Sequence, residues 1–249
     1  MTPVGPAMKP ILSDLPSAFS LLTRIPMPAH PHSGAASAWA WPLVGLVIGG
    51  FAAVLLWLGG LLSLPPGIQA AAALALMAML TGGLHEDGLA DTADGLFGGR
   101  DPERRLEIMK DSHIGSFGTL ALVLVTLASW SALTSLIGSG RAMPALLIAA
   151  AISRAPMAMI MAVLPAARKN GISATSGRPA IATALLAVVL ALTLTFSLGG
   201  LAASPVLLAV LLVTVPLALS ARARIGGQTG DILGASQQLA FAAALAVLA

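Results

Sequence analysis

Seven apolar runs, each close to the length that crosses a bilayer, dominate the 249-residue chain and leave little room for any other architecture. A hydrocarbon core of about 30 Å needs roughly 17–25 mostly apolar residues in a helix, because no water is there to satisfy a bare backbone. The runs are Trp41–Leu62, Gly67–Leu84, Ser116–Gly138, Ala142–Leu164, Ala180–Gly200, Pro205–Ser220 and Ile232–Ala249. Before them, Leu15–Ile25 reads either as a short amphipathic segment at the interface or as a plain loop, ending at Pro26. The first forty residues are broken by Pro3, Pro6, Pro10, Pro16, Pro26, Pro28 and Pro31, so no cleavable signal peptide is expected. The expected fold is all-α: a polytopic transmembrane bundle of about seven spans, one integral membrane domain over residues 1–249, with no linker and no internal repeat.

Composition excludes the alternatives. Hydrophobic residues make up 57% and charged residues 9%, against roughly 25% charged in ordinary soluble domains. Disorder needs the opposite balance. With no cysteine there is no disulfide, thiolate metal site or cysteine nucleophile. The net charge of +3 comes from scattered basic residues rather than a basic stripe, so no nucleic-acid partner is expected. Of thirteen basic residues, eleven fall on the side shared by the N-terminus: Lys9, Arg24, Arg100, Arg104, Arg105, Lys110, Arg168, Lys169, Arg178, Arg222 and Arg224. The opposite connections carry only Arg141, and Arg154 lies inside a run. This asymmetry predicts an odd number of crossings with the N-terminus in the cytoplasm.

Eight of the ten acidic residues lie between Glu86 and Asp111. The stretch from His85 to Gly95 holds Glu86, Asp87, Asp91 and Asp94 and no basic residue. On a helix, Asp87, Asp91 and Asp94 fall on one face, within about a sixth of a turn. Like charges at that spacing repel by a few tenths of a kcal/mol per pair, which a divalent cation would offset; a solvated helix face is the plainer alternative. Oxygen ligands without thiolate suit Mg²⁺ or Mn²⁺ better than Zn²⁺. Glu86, Asp87, Asp91 and Asp94 are the candidate metal ligands. His85 lies on the opposite side of that helix, where a structural hydrogen bond serves as well as a catalytic one.

A glycine loop and a proline-started helix follow, carrying Arg100, Arg104, Arg105 and Lys110. Cations beside carboxylates suit phosphate oxygens; membrane anchoring and pairing with Glu103 and Glu107 would account for some of them. Asp111 is the candidate general base, with a metal-bound aspartate such as Asp94, or His113, as alternatives. Arg154 inside a span should face the protein interior, as a phosphate contact or a structural partner. In Gly226-Gly227-Gln228-Thr229-Gly230-Asp231, either a phosphate-approaching turn or an N-cap by Asp231 fits. The four tryptophans fit interface anchors or core packing.

The segment Gly82–Gly95, followed by Leu106-Glu107-Ile108-Met109-Lys110-Asp111 and Ile114-Gly115, resembles the signature of the cobalamin synthase family, the adenosylcobinamide-GDP ribazoletransferases. Further similar stretches are Thr23–Pro26, Pro42–Gly45, Ser153-Arg154, Ala167-Arg168 with Gly171, and Gly226–Asp231, so the resemblance runs the length of the chain. It implies transfer of the adenosylcobinamide phosphate of adenosylcobinamide-GDP to α-ribazole or its 5′-phosphate, with Mg²⁺ as cofactor and GMP released. It also implies a bacterial or archaeal cell membrane, an active site facing the cytoplasm, and the other nucleotide-loop assembly enzymes as partners. By the same resemblance Arg24, Arg154, Arg168 and Asp231 join Arg100, Arg104, Arg105 and Lys110 as candidate substrate contacts. Two rivals share the physics. CDP-alcohol phosphotransferases use an Asp-x-x-Asp-Gly-x-x-Ala-Arg pattern, and no arginine stands at the matching place after Asp87-Gly88. A cation transporter would hold its charges near mid-membrane in broken helices, whereas these lie beyond the end of a span.

Overall fold

A computed structural model describes residues 9–249, and nearly all of its ordered elements are helices. The first eight residues, including Pro3 and Pro6, lie outside the described residues, as does the side chain of Lys9 on which part of the charge asymmetry rests. Helix α1 (Lys9–Leu22) leads through a 3-10 turn at Gly34–Ala40 into α2 (Trp41–Leu61), then α3 (Pro66–Thr81), α4 (Leu84–Gly98) and the short α5 (Pro102–Ile108). Next come α6 (Ser116–Gly138), the consecutive pair α7 (Ala142–Ile152) and α8 (Ala155–Val163), and a single turn, α9 (Ile172–Ser176). The chain closes with α10 (Ile181–Gly199), α11 (Pro205–Ile225) and α12 (Gly230–Leu248).

Among the described residues, six helical stretches are long and apolar enough to cross a membrane, or seven when the bent pair α3–α4 is counted as one span. The chain is a multi-pass membrane protein. Large side chains such as Phe51, Trp57, Leu124, Val189, Leu212 and Leu219 are exposed on the outer faces of α2, α6, α10 and α11, where lipid replaces water. Inside, small residues let backbones approach. A Cβ at Gly49 would lie 2.9 Å from the Cβ of Ala150, which brings α2 and α7 together. Trp41 is buried in the core, whereas Trp57 and Trp130 are exposed.

Several bounds differ from expectation. The second run does not continue to Leu84: α3 stops at Thr81 and α4 leaves it at 89°. Gly82 and Gly83 both take left-handed backbone angles (φ +66° and +71°), which only glycine adopts cheaply. Their amides close α3 by bonding back to Met79 and Ala78, and the Arg24 amide meets the freed Leu80 carbonyl at 2.7 Å. The fourth run is broken at Ser153-Arg154 into α7 and α8. Helix α11 extends past Ser220 to Ile225 because Arg222 and Arg224 carry the helix beyond its apolar stretch. The amphipathic segment expected over Leu15–Ile25 is the second half of α1, which ends at Leu22, where the Thr23 hydroxyl caps the Phe19 carbonyl at 2.7 Å.

Candidate active site

The acidic helix α4 rests on α12 through glycine. A Cβ at Gly88 would stand 2.9 Å from the Asp231 carbonyl oxygen, and one at Gly234 only 3.2 Å from the His85 Cα. This near-contact of backbones sets the distance between the carboxylates of α4 and the first turn of α12.

That first turn is built by a cap that frees Asp231. The Thr229 hydroxyl accepts the Ile232 amide at 3.3 Å, so Thr229, not Asp231, is the N-cap. Asp231 instead takes Nη2 of Arg168 at 2.6 Å and the Thr229 hydroxyl at 3.1 Å, with both charged side chains only 16% exposed. Arg168 is held in reach by a bridge between Ala166 and Gln228: the Ala167 amide bonds the Gln228 carbonyl, and the Gln228 amide bonds the Pro165 carbonyl, both at 2.8 Å. Gln228 is itself fixed by the Ser173 hydroxyl at 2.6 Å. Asp87, Arg168, Asp231 and the backbone of Gly230 line one pocket of about 250 Å³. Asp87 is exposed, and Asp91, half-buried one turn on, lies within electrostatic range of Asp87, Asp231, Asp94 and Arg168.

The third rung of the ladder is used differently. Asp94 is buried, and its two oxygens accept the amides of Gly115 at 2.7 Å and Gly118 at 2.9 Å. It therefore caps the N-terminus of α6, where a carboxylate complements unpaired amides and the helix dipole. Glu86 faces away from the Asp87 pocket, accepting Nε2 of Gln238 at 2.9 Å. Among the described residues no three His, Asp or Glu side chains converge as a ready-made metal cage. What remains, Asp87 and Asp91 with Asp231 nearby, is an oxygen-only donor set. It fits the way Mg²⁺ is usually held, by one or two carboxylates plus substrate phosphates.

The basic candidates divide. Arg168 is in the pocket. Arg24 is exposed at the α3–α4 bend, with its side chain packed over Gly82. Arg100 and Lys110 are exposed beyond the end of α4. Arg104 pairs with Glu107 at 3.0 Å on the surface, as expected for some of these cations, in a geometry worth little energetically. Arg105 is structural: it bonds the carbonyls of Gly99 at 3.0 Å and Arg224 at 3.2 Å, while Arg224 reaches back to Leu96 at 2.7 Å and stacks over Phe97. Arg154 is fully buried, as expected of a cation inside a span, and donates to the Ala150 carbonyl at 2.6 Å.

Asp111 lies after α5, exposed. Its carboxylate accepts the His113 amide at 3.0 Å and pairs with the His113 ring at 2.7 Å. The side-chain bond first, then the backbone bond, holds its pKa below the usual carboxylate range.

Sequence reasoning missed the capping pair Gly115 and Gly118, the cap Thr229, and Gln237 and Gln238. Thr229 stands three residues before Ile232, the capping distance. The glutamines are polar residues one turn inside a span, a placement that is costly in lipid and marks a partner.

The family model of cobalamin-5-phosphate synthase matches residues 14–249. The chain is 41% identical over 245 residues to an adenosylcobinamide-GDP ribazoletransferase of Bradyrhizobium diazoefficiens, covering 96% of this chain and 94% of that one. It is also 41% identical over 250 residues to the protein of the same name from Brucella ovis, covering 94% and 95%. No solved structure matches.

Proposed function

The chain belongs to the cobalamin-5-phosphate synthase family, and from that premise we propose that its reaction joins adenosylcobinamide-GDP to α-ribazole or its 5′-phosphate, releasing GMP. Membership displaces the CDP-alcohol and transporter readings. The 3′-hydroxyl oxygen of the ribazole attacks the cobinamide-linked phosphorus of the diphosphate. A new phosphorus–oxygen bond forms, the bond to the GMP oxygen breaks, and the hydroxyl proton passes to a base.

The observation that carries the site assignment is the shared pocket of Asp87 and the Arg168–Asp231 pair at the α4–α12 crossing, with Asp91 one turn on within their electrostatic reach. Asp87 and Asp91 would hold Mg²⁺, which supplies charge neutralisation on the diphosphate when bound. Arg168 presents its guanidinium toward the same space for the phosphate oxygens, and Asp231 orients it. Positioned cations of this kind act mainly on the charge that grows on the leaving phosphate. Arg24, Arg100 and Lys110 are exposed cations available to incoming phosphates, Arg105 holds the α4–α5 turn, and Arg104 stays on the surface of α5 with Glu107. Asp94 acts by placing α6. Asp111 is the base candidate, exposed and ionised near the basic turn. Arg154 serves the interior. The charged end of the bundle faces the cytoplasm, where nucleotide substrates are available, and the chain works as one domain.

The test is purified protein in nanodiscs with adenosylcobinamide-GDP, α-ribazole and Mg²⁺, scored for GMP and for the joined corrinoid. Release of GMP that requires both α-ribazole and the divalent ion supports the reading. Absence of corrinoid product under these conditions defeats it.

A further inference from the structure

Four buried polar atoms that have no hydrogen-bond partner among the described residues line a single cavity on the other side of α4 from the acidic pocket. They are Nε2 of His85, Oε2 of Glu86, Nε of Arg154 and Oε1 of Gln237. The side chains of His85, Arg154 and Gln237 are each no more than 2% exposed. Buried polar atoms are rarely left without a hydrogen bond, so such atoms call for a polar partner that enters the cavity.

The cavity measures about 330 Å³ and lies between α3, α4, α6 and α12, within the range of roughly 300–1,000 Å³ typical of small-molecule sites. Its other wall is apolar and partly aromatic: Leu74, Met77, Leu127, Trp130 and Phe241. Thr126 and Leu127 on α6 and Ala71 and Ala75 on α3 are exposed along its rim, so it opens sideways between those helices. Trp130 ties α6 to the start of α3 by donating to the Gly67 carbonyl at 2.8 Å. The one cation inside, Arg154, feels the opposite charge of Glu86, which leaves the cavity close to neutral. A flat, largely apolar, uncharged ligand with a few hydrogen-bonding atoms at one end matches these walls; a phosphate does not.

We propose that this cavity seats the benzimidazole base and adjoining ribose of the α-ribazole acceptor. The inference rests on the reading of the chain as a ribazole transferase and adds where that substrate enters and lies. The ring packs on Trp130 and Phe241, where offset or edge contacts suit aromatic pairs. Gln237, Gln238 and Arg154 meet the ring nitrogen and ribose hydroxyls. His85 lines both this cavity and the Asp87–Arg168–Asp231 pocket, so the ribose hydroxyl sits one side chain away from the diphosphate.

Equilibrium dialysis of α-ribazole against the nanodisc protein, without corrinoid or Mg²⁺, tests the site apart from turnover. Ala78, half-buried on the cavity wall, is changed to Phe to fill the space; Gln238→Ala removes a polar contact without adding bulk. Both variants are first checked for unchanged thermal melting. The Ala78→Phe change is expected to weaken α-ribazole binding about tenfold or more, and Gln238→Ala about threefold to tenfold. The KM for α-ribazole should rise in parallel while that for adenosylcobinamide-GDP stays within about twofold. Wild-type affinity in both variants, or no measurable binding by wild type, overturns the proposal. Normal α-ribazole binding that is lost in Ala78→Phe, together with no GMP release by wild type, would instead keep the site and defeat the assigned reaction.

Discussion

Asp94 and Gly118 are joined by a 2.9 Å hydrogen bond in which the glycine amide donates to a carboxylate oxygen, and a side-chain carbon at position 118 would overlap that carboxylate. The aspartate of α4 thereby fixes where α6 begins. Gly118→Ala should lower stability by about 1–3 kcal/mol through the forced shift, and Asp94→Asn by about 1–2 kcal/mol through loss of a charged cap. Thermal melting in detergent measures both. Full stability of Asp94→Asn with complete loss of transfer would move Asp94 back into the chemistry.

Metal dependence separates the rungs of the ladder. Asp87→Asn and Asp91→Asn should each lower kcat/KM about a hundredfold, the scale seen when one preorganised electrostatic group is removed. Their Mg²⁺ titrations should shift to higher concentration. Asp94→Asn should leave the Mg²⁺ midpoint in place, because its oxygens are taken by the amides of Gly115 and Gly118. A common shift in all three variants would show that the whole ladder binds the ion.

Arg168 and Asp231 should act as a unit. Each is largely shielded from solvent and they meet at 2.6 Å, so Arg168→Ala, Asp231→Asn and the double variant should be non-additive in kcat/KM. A coupling of about 1–3 kcal/mol is expected for residues in direct contact. Strict additivity would place the two in separate roles.

The Asp111–His113 contact makes a pH prediction. Hydrogen bonds from His113 lower the Asp111 pKa, so the carboxylate keeps its charge to lower pH than a free aspartate would and loses it only as pH falls further. Removing the ring bond by His113→Ala, which keeps the backbone amide bond, should raise that pKa part of the way toward the ordinary value. If Asp111 accepts the proton, the acid limb of the kcat/KM profile moves to higher pH in His113→Ala, and Asp111→Asn loses about 10²–10⁴-fold. An unmoved acid limb and a fully active Asp111→Asn would remove it from the mechanism.

The crossings are legible in the chain because lipid demands continuous apolar length, a signal that needs no knowledge of neighbours. The right-angle turn at Gly82-Gly83 is not, since two glycines at the end of an apolar run read as readily as its final turn. The positions of Asp87, Asp91 and Asp94 on one helix follow from spacing alone. Their different uses depend on partners far along the chain: Gly115 and Gly118 for Asp94, the Arg168–Asp231 pair for the pocket Asp87 lines. The same holds for Arg105, whose spacing suggests a phosphate contact while its guanidinium is spent on the carbonyls of Gly99 and Arg224. Side-chain spacing tells which groups share a face; only the assembled bundle tells what that face meets.

Because α4 turns off the end of α3 at 89°, it leaves the direction of that helix, and His85 near its start lines both cavities. A helix so laid works as a partition between two chambers. Two reactants held on either side of that residue would meet across the width of a single side chain instead of competing for one chamber.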